Sequence, residues 1–535
     1  MNILLGLTYA LIAVTARIIY VYLRRRNTFL KKLQGPESSS FWIGNESEIR
    51  YQREVGDNEF KWMRQYGSAW RRSGPLGVDY LSLADPKALQ YVLHTSGYHF
   101  PKGKEVTQNI KLIIGQGVVW AHGADHQRQR KIMTPAFFAP QLRSFLPLFQ
   151  NSAMKLAQKW KDEILSLDTT GQPVVNVSSW LSRTTLDVIG ETGFDFQFGS
   201  LDNEETLLGK LYDNLFIDST LYPSRLDVVF KACWRYIPEP LLHYVRYLPA
   251  REYRRFRKYL DYVRSFARDL VKESMVKGDG NDVMSVLLRA NSSEDPNSKM
   301  YYDELIDQIS TLILAGHDTT SNTLTWFLWE IAKHPESQKR IREEIAAIRL
   351  RGGGEQLSAT DLDSMLYTQA ALKESMRLHP IIWMLRRVAG RDDVIPLAFP
   401  ITTKSGEQIS SIPVKKGTPI DIFIDAYNRL PEVWGPDADE WNPDRFLDQN
   451  KKQQISLGVF ANLLNFSGGL RACLGWRFAV LEMQVIAVTL LENFEFSPPP
   501  ESEKTRIYRK PGSNMMPMTE NGKRAWMGLE ITALE

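Results

Sequence analysis

The sequence predicts a mainly α-helical protein with a minor β part. Apolar residues recur at helical spacing from about residue 140 to residue 378. Patches rich in β-branched and aromatic residues lie at about 69–84 and 394–424 and are typical of strands. The stretch 401–409 is typical of a hairpin, which turns at Ser405 and Gly406. The chain has 535 residues, of which 43% are apolar, so it can bury a large core.

Composition and charge exclude several classes of protein. The formal net charge is only +4, which gives no reason to expect nucleic acid as a partner. Cys233 and Cys473 lie in unrelated contexts, and a single pair in so long a chain does not make a disulfide framework but suits a reducing compartment. A zinc site would need more ligands than two cysteines and eight scattered histidines readily supply.

The amino-terminal segment is predicted to anchor the protein in a membrane. Residues 3–23 are apolar apart from a few polar positions and Arg17, which is long enough for one spanning helix. A basic cluster follows and predicts a cytoplasmic flank: Arg24, Arg25, Arg26, Lys31 and Lys32. The alternative, a cleaved signal peptide, lacks an evident basic start and cleavage site. We expect an anchor with a basic stop at 1–26, a linker at 27–40 and the catalytic domain at 41–535.

A predicted central helix, from about residue 302 to residue 333, carries an unusual group of small and polar residues. Gly316 removes bulk, and a threonine hydroxyl can compete for the carbonyl four residues back and open the helix locally. Asp318 and Thr319 then border a groove suited to holding dioxygen and relaying protons. The alternative is a packing defect with capping-type residues. His317 is assigned no role.

Glu374 and Arg377 lie three residues apart and share one face of a predicted helix, which Pro380 ends. Such a pair arises by chance in a chain this long, so by itself it is weak evidence. Its position, ahead of a Trp-Asn-Pro-Asp-Arg-Phe stretch at residues 441–446, is more informative. We interpret the pair as structural.

Residues 466–475 are the most informative stretch of the chain. They place Cys473 in a glycine-rich turn directly ahead of a long apolar helix. Unpaired backbone N–H groups and the helix dipole at such a position favour a thiolate, which a metal ligand must be. Arg471 could pair with negative charge at the edge of a flat cofactor, and the glycines would let that cofactor approach the backbone. This pattern predicts one sulfur–iron bond to a haem. The alternative is an inert buried cysteine.

Taken together, these motifs resemble those of the cytochrome P-450 family. Residues 466–475 match its Phe-x-x-Gly-x-Arg-x-Cys-x-Gly signature, and residues 315–320 match its Ala/Gly-Gly-x-Asp/Glu-Thr-Thr/Ser motif. The motifs occur in the family's order, and the resemblance covers nearly everything after Gly35. It implies the P-450 fold, preceded by one transmembrane helix, with haem b (iron protoporphyrin IX) as cofactor.

The resemblance assigns the residues around the haem iron. Cys473 would be the metal ligand. Phe466, Gly469, Arg471 and Gly475 would bind the cofactor in the same segment. It also assigns the oxygen-activating alcohol to Thr319 and its acidic neighbour to Asp318, and it places Glu374, Arg377 and Arg445 in a buried ionic network behind the haem.

The resemblance assigns further residues to the haem propionates. His126 and Arg130 fall on the family's propionate-binding helix, although tryptophan is usual where this chain has His126. Histidine can still donate to a propionate, with a contribution that depends on pH. The alternative is a solvated basic face. Arg387 falls where the family places another propionate partner, and adjacent Arg386 leaves that assignment open by one position.

The function implied is that of a monooxygenase that inserts one oxygen atom from O2 into a lipophilic small molecule. Its electrons would come from NADPH through NADPH–cytochrome P-450 reductase. The overall character of the sequence resembles that of P-450s of fungal secondary metabolism, and this resemblance favours a terpenoid or sterol-like substrate. Two alternatives are an oxygen-independent haem-thiolate isomerase or dehydratase and a membrane haem-binding sensor. The intact pair of Asp318 and Thr319 argues against the isomerase, because its chemistry needs no proton delivery to dioxygen.

The resemblance also implies where the protein lies and what lines its substrate pocket. We expect a single-pass protein of the endoplasmic reticulum membrane with its catalytic domain facing the cytoplasm. The expected pocket residues are almost all apolar: Ile110, Leu112, Ile113, Ile114, Val118, Val119, Leu312, Ile313, Leu314, Ala315, Ile381, Ile382, Trp383, Met515, Met516 and Met518.

Overall fold

The computed structural model describes residues 28–166, 174–202, 206–212, 215, 221–277, 280–292, 299–352, 356–448, 455–502 and 504–534, and single residues before them. Helices dominate it, as the sequence predicts. In chain order they are α1 (Glu46–Arg50), α2 (Glu59–Tyr66), α3 (Pro86–Gln90), α4 (Lys104–Ile114), α5 (Gly123–Met133), α6 (Ala139–Ser166), α7 (Val177–Phe194), α8 (Leu207–Tyr212), α9 (Arg225–Cys233), α10 (Glu239–Leu242), α11 (Arg251–Lys277), α12 (Val283–Ala290), α13 (Tyr302–Lys333), α14 (Pro335–Gly352), α15 (Ala359–Ser364), α16 (Leu366–Leu378), α17 (Ile424–Tyr427), α18 (Pro431–Trp434) and α19 (Trp476–Asn493).

The strands form small sheets. They are β1 (Ala69–Ser73), β2 (Asp79–Leu83), β3 (Val174–Asn176), β4 (Met384–Val388), β5 (Asp393–Thr402), β6 (Gln408–Val414), β7 (Pro419–Phe423), β8 (Phe494–Ser497), β9 (Tyr508–Pro511), β10 (Met515–Met518) and β11 (Gly528–Ala533). One sheet has the order β1-β2-β7-β4, with only the β2–β7 pair parallel, and another has the order β3-β11-β8. The remaining pairs are the antiparallel β5–β6 and β9–β10.

Both predicted strand regions are confirmed. β1 and β2 occupy the first region, and β5, β6 and β7 occupy the second. The predicted hairpin is also confirmed, because Ile401 pairs with Ile409 and Thr402 pairs with Gln408. Gly406 has a φ of 85° in its turn, which a glycine adopts at little cost.

The long helix α13 runs through the middle of the protein. It packs most extensively along α7 and also contacts α11, α16 and α19. Gly316 makes the close contact with α7 possible, since a Cβ there would lie 2.8 Å from Cδ1 of Ile189. The inner faces of these helices and of the mixed sheet share one continuous apolar core.

A buried ionic network joins α16 to the segment that follows α18, as predicted. Arg377 forms two hydrogen bonds of 2.7 Å with the Glu374 carboxylate, and Arg445 lies 3.4 Å from the same carboxylate. Arg377 also donates to the backbone carbonyls of Asn428, Ala438 and Glu440 at 2.5–2.9 Å. Because every charge in it is paired and hydrogen-bonded, the network fixes the register of this region.

The predicted location in the endoplasmic reticulum membrane is contradicted. In the part of the chain that the structure describes, every helix is either too short or too polar to cross a bilayer. Most of residues 3–23, the predicted anchor, lie outside the described residues. Leu30 and Leu33, which follow, are buried in the main core.

Two buried carboxylates predict a pH dependence of stability. Burial raises the pKa of Glu59 on α2 to about 7, and burial together with the charge of Glu59 raises the pKa of Asp425 on α17. The folded state therefore binds a proton that the unfolded chain releases near its ordinary pKa of 4.5. We expect the contribution of Glu59 to the free energy of unfolding to be greatest below that ordinary pKa and to be lost as the pH rises toward about 7.

Urea titrations across this pH range would measure the effect. Glu59→Gln should flatten the profile, because the amide cannot titrate; its single oxygen can accept from Gln52 or from the Gly56 N–H, but not from both. An equally steep profile in Glu59→Gln would assign the pH dependence to other groups.

Candidate functional site

A cavity of about 360 Å³ lies in the core beside α13. Its walls come from α5, the middle of α13, the start of β4, the 464–475 segment and the first turn of α19. Most of its lining is apolar, and its polar groups fall into two sets. One set is a cluster of cations at one side, and the other is the row of threonines along α13.

Cys473 forms part of the cavity wall, three residues before α19 begins. Its backbone N–H donates to the carbonyl of Phe466 at 2.8 Å, which closes the turn that presents the sulfur. The sulfur surface is open to the cavity, but the cavity lies within the protein, so burial raises the pKa of the thiol. The backbone N–H of Gly475 and the charge of Arg130 act in the opposite direction and lower that pKa. These two groups favour the thiolate that metal binding requires.

The glycines of this segment have different surroundings in the structure. Gly475 lines the cavity, but Gly469 does not; a Cβ on Gly469 would lie 2.0 Å from the carbonyl oxygen of Leu93. Gly469 also has a φ of 63°, a conformation that favours glycine. A Cβ on Gly468 would similarly meet the His94 ring at 2.5 Å. These two glycines therefore let the turn pack against residues 93 and 94.

Three arginines converge on the cavity from different elements. Arg130 on α5 donates to the carbonyl of Ala472 at 2.5 Å, and Arg471 donates to the carbonyl of Ala121 at 3.0 Å. Arg387 on β4 is buried and donates to the carbonyl of Arg386 at 3.1 Å. Burial lowers the pKa of all three guanidinium groups, that of Arg387 to about 10 with a further contribution from Arg471. This side of the cavity is therefore strongly positive.

The choice between Arg386 and Arg387 follows from strand alternation. Neighbouring residues on β4 point to opposite faces. Arg386 turns away from the cavity and forms ion pairs with Asp421 and Glu46, both at 2.8 Å. Arg387 lines the cavity. Arg387 is therefore the candidate for binding an anionic group there.

His126 also lines the cavity, and its surroundings differ from the expectation. Its Nδ1 lies 2.7 Å from the hydroxyl of Tyr98. Burial and the nearby charges of Arg471, Lys102 and Arg130 lower the pKa of His126 to about 3, so the ring is neutral near pH 7.

Sequence reasoning missed three residues of this cluster. Lys102 lines the cavity and donates to the carbonyl of Val119, and His122 lies 3.5 Å from Arg471. Tyr98 completes the group through His126. Burial lowers the pKa of Lys102 well below its ordinary value, with help from Arg471 and Arg387. The one sequence signal for Lys102 is that it is a basic residue shortly before α4. Such residues are too common to indicate a site.

The residues present fit the predicted haem. The cations that line the cavity are Lys102, Arg130, Arg387 and Arg471, and no aspartate or glutamate is among its described lining residues. Clustered buried cations need compensating negative charge, and two propionates supply it. The Cys473 sulfur lies in the same wall and is the type of donor that haem iron accepts.

Thr319 and Asp318 face different spaces. Thr319 lines the cavity, and its hydroxyl donates to the carbonyl of Ala315 at 2.8 Å, one helical turn back. Asp318 instead lines a second cavity, of about 290 Å³, between α13, α7 and α8. Successive helical residues differ by about 100° in direction, so neighbours need not share a face.

The expected substrate-pocket residues divide in the structure. Six of them line the cavity: Val118, Val119, Leu312, Ala315, Ile381 and Ile382. The methionines near the carboxyl terminus lie elsewhere, with Met516 and Met518 packed on Leu221 in a separate small cluster. Trp383 donates from Nε1 to the carbonyl of Gly512 at 3.0 Å and supports the β9–β10 turn. The described lining of the cavity therefore contains only some of the residues that the sequence predicted, and the three methionines are not among them.

Known proteins are similar to this chain over most of its length. A family model described as cytochrome P-450 matches residues 34–523. The chain is 32% identical over 489 residues to cytochrome P-450 monooxygenase 91 of Postia placenta, a match that covers 88% of each chain. It is 31% identical over 505 residues to cytochrome P-450 monooxygenase claU of Ampulloclitocybe clavipes, covering 91% of this chain and 90% of the relative. A ganoderic acid synthetase of Ganoderma lucidum is 31% identical over 529 residues, which are 94% of each chain.

Proposed function

This chain belongs to the cytochrome P-450 monooxygenase family, and we propose that it oxidises a bulky, mostly hydrocarbon molecule with electrons from NADPH. Members of the family bind haem b through a thiolate ligand. The observation that carries the proposal is the position of Cys473, which shares one cavity with a cation cluster and a threonine on α13.

In the proposed reaction, O2, the substrate, NADPH and one proton give the hydroxylated product, water and NADP⁺. Bound haem supplies the electron transfer and oxygen chemistry, with Cys473 as the iron ligand. Arg130, Arg387 and Arg471 line one side of the cavity and would bind the propionates there. A flavoprotein of the NADPH–cytochrome P-450 reductase type delivers the electrons singly.

Thr319 and Asp318 are proposed to supply protons. The Thr319 hydroxyl is held at the cavity wall by its bond to Ala315, and in this position it can donate to or accept from a group inside the cavity. Asp318 follows on the other face of the helix and is the titratable group nearest in sequence that can restore the proton. The pair does not serve an oxygen-independent isomerase, which needs no such relay.

We expect Thr319→Ala to keep the haem but to waste electrons. Product formed per NADPH should fall by roughly tenfold. General acid–base groups contribute about 10²-fold at the low end, and water replaces part of that effect when the hydroxyl is removed. NADPH consumption should continue, with hydrogen peroxide as the by-product. Reductase assays with mass spectrometry and a peroxide assay would measure this. Thr325→Ala is the matched control, because it removes a similarly bonded hydroxyl of α13 from a residue outside the described lining of the cavity.

An unchanged ratio of product to NADPH in Thr319→Ala would mean that Thr319 only packs in the helix and supplies no proton. A fall of the same size in Thr325→Ala would point to disturbance of the helix.

The lining of the cavity supports a lipophilic substrate. Val118, Leu312, Ile381 and Ile382 contribute apolar walls, and the cations gather at the side assigned to the propionates. A charged substrate group among the apolar walls would lose its hydration without a partner. A relative of similar length is named a ganoderic acid synthetase, which supports a terpenoid or sterol-like compound as the substrate.

Titration of candidate substrates would test this assignment. We expect lanosterol, or a sesquiterpene hydrocarbon, to shift the haem spin state, because a bulky apolar ligand displaces water from the cavity. Lauric acid and a small amine serve as the charged comparisons. Binding confined to the charged ligands would contradict the terpenoid assignment without affecting the family.

A further inference from the structure

A third cavity, of about 160 Å³, lies between α4 and α11. α4 and the residue that follows its end form one wall, α11 forms another, and residues 243 and 246 in the turn after α10 complete it. None of the described residues that line it also lines the haem cavity. Sites for drug-sized ligands occupy about 300–1,000 Å³, so this smaller space suits an ion or a single chemical group.

The lining of the third cavity is rich in basic side chains. Lys111 comes from α4, Arg246 from the turn after α10, and Arg257 and Arg264 from α11. His243 lines the cavity as well, and no aspartate or glutamate is among its described lining residues. Cations that share one small space repel one another, so an anion between them would stabilise the arrangement.

Nearby acids outside the lining pair with two of the four cations. Arg264 lies 2.7 Å from the carboxylate of Asp307, which is buried on α13. Arg246 lies 3.3 Å from the carboxylate of Asp261, but the Asp261 side chain is 62% exposed. Water screens such a pair strongly, so Arg246 is only partly compensated.

Lys111 and Arg257 form no ion pair with a described residue. The Lys111 ammonium lies 5.6 Å from the ring of Trp120, and one nitrogen of Arg257 donates to the carbonyl of Arg246. A guanidinium has five N–H groups, so Arg257 keeps donors for a ligand. Tyr253, which also lines the cavity, has a buried hydroxyl without a hydrogen-bond partner in the described chain. The cavity thus offers two uncompensated charges together with several donors.

Hydrogen bonds between elements hold the walls of the third cavity in place. Gln108 on α4 donates to the carbonyl of Leu242 at 2.8 Å, which joins α4 to the turn after α10. The backbone N–H of Gln116 and the side chain of Arg264 both donate to the Asp307 carboxylate at 2.7 Å. That carboxylate therefore joins the end of α4, α11 and α13. A site with fixed walls loses little conformational entropy when a ligand binds.

We propose that the third cavity binds a phosphate monoester through Lys111, Arg246 and Arg257. Such a group carries about −1.5 to −2 charges at pH 7, which matches the two uncompensated cations. Its oxygens accept from guanidinium groups in pairs and from an ammonium singly. The site lies beyond the proposed oxidation and uses no residue of the haem cavity.

The same phosphate chemistry occurs in soluble metabolites and in the headgroup of phosphatidic acid. The turn that supplies Arg246 also exposes the rings of Tyr244 and Tyr247, which an apolar neighbour of the phosphate could contact. The two sources are distinguished by presenting the same glycerol phosphate group free in solution and on a vesicle.

Calorimetric titration of the full-length, haem-loaded protein with glycerol 3-phosphate would test the site. We expect Arg257→Gln and Lys111→Gln each to weaken binding by roughly tenfold or more, because each removes charge-assisted hydrogen bonds. Arg254→Gln is the matched control: it makes the same change of charge on α11, at an exposed residue outside the described lining. Glycerol, which lacks the phosphate, should give no heat of binding.

Flotation with phosphatidylcholine vesicles, with and without phosphatidic acid, would identify the source of the phosphate. Retention on the phosphatidic acid vesicles that Arg257→Gln reduces and Arg254→Gln preserves would assign the site to the lipid headgroup. Binding of glycerol 3-phosphate with the expected variant pattern, but without such retention, would assign it to a soluble molecule.

Two results would overturn the inference. The first is neither a heat of binding with glycerol 3-phosphate nor retention that depends on phosphatidic acid. The second is equal weakening in Arg254→Gln and Arg257→Gln, which would show general attraction to positive charge and not a site. The carbon monoxide spectrum of each variant reports whether the haem site is intact, so a folding defect in one variant is recognised and the other decides. Neither result bears on the proposed oxidation.

Discussion

Replacing Cys473 by serine is expected to abolish the red-shifted absorption band of the reduced, carbon monoxide-bound protein, which would report a thiolate ligand on the haem iron. A serine hydroxyl stays protonated at neutral pH and is a poor ligand for haem iron. The Gly475 N–H and the Arg130 charge favour an anion at this position, but they cannot ionise an alcohol. Oxidation of substrate should be lost together with the band.

The matched control is Cys233→Ser. Cys233 ends α9, lies outside the residues that line the haem cavity, and has its pKa raised by burial. We expect this variant to keep the full band. Loss of the band in Cys233→Ser, with retention in Cys473→Ser, would reverse the assignment of the iron ligand.

Removing the carboxylate of Glu374 is expected to have the largest effect on stability. Glu374→Ala leaves the guanidinium groups of Arg377 and Arg445 buried without their shared partner, which costs roughly 3–5 kcal/mol. It also strands the backbone N–H of Asn442, which donates to the same carboxylate at 2.8 Å. The loss is a large part of the roughly 5–15 kcal/mol that holds a domain folded.

Chemical denaturation of the haem-free and haem-loaded protein would measure this loss. Arg340→Ala breaks the exposed pair with Asp444 and is the control, with an expected cost of about 0–1 kcal/mol. The two variants should therefore differ clearly in their midpoints. Similar midpoints would mean that water enters and solvates the arginines once Glu374 is gone.

The sequence by itself determined the features that depend on neighbours in the chain. The hairpin at 401–409, the mostly helical architecture and the pairing of Glu374 with Arg377 follow from side-chain periodicity and from turns of a few residues, and all are present. The segment around Cys473 was equally recognisable, because the turn, the sulfur and the following helix are contiguous.

Only the tertiary structure decided which distant groups meet. Lys102 and Tyr98 join the cation cluster through packing of separate elements, and no local pattern marks them. The choice of Arg387 over Arg386 depends on which face of β4 meets the cavity. A glycine is needed at position 469 because a side chain there would collide with the carbonyl of Leu93, which is distant in the sequence.

The direction of Asp318 is the clearest case. Sequence adjacency suggested that it would stand beside Thr319, but the helix turns by about 100° per residue, so the two side chains leave α13 on different faces. Which cavity receives each side chain depends on how α7, α8 and the turn between β9 and β10 pack around α13. Periodicity fixes the angle between two side chains, whereas long-range packing decides what each one meets.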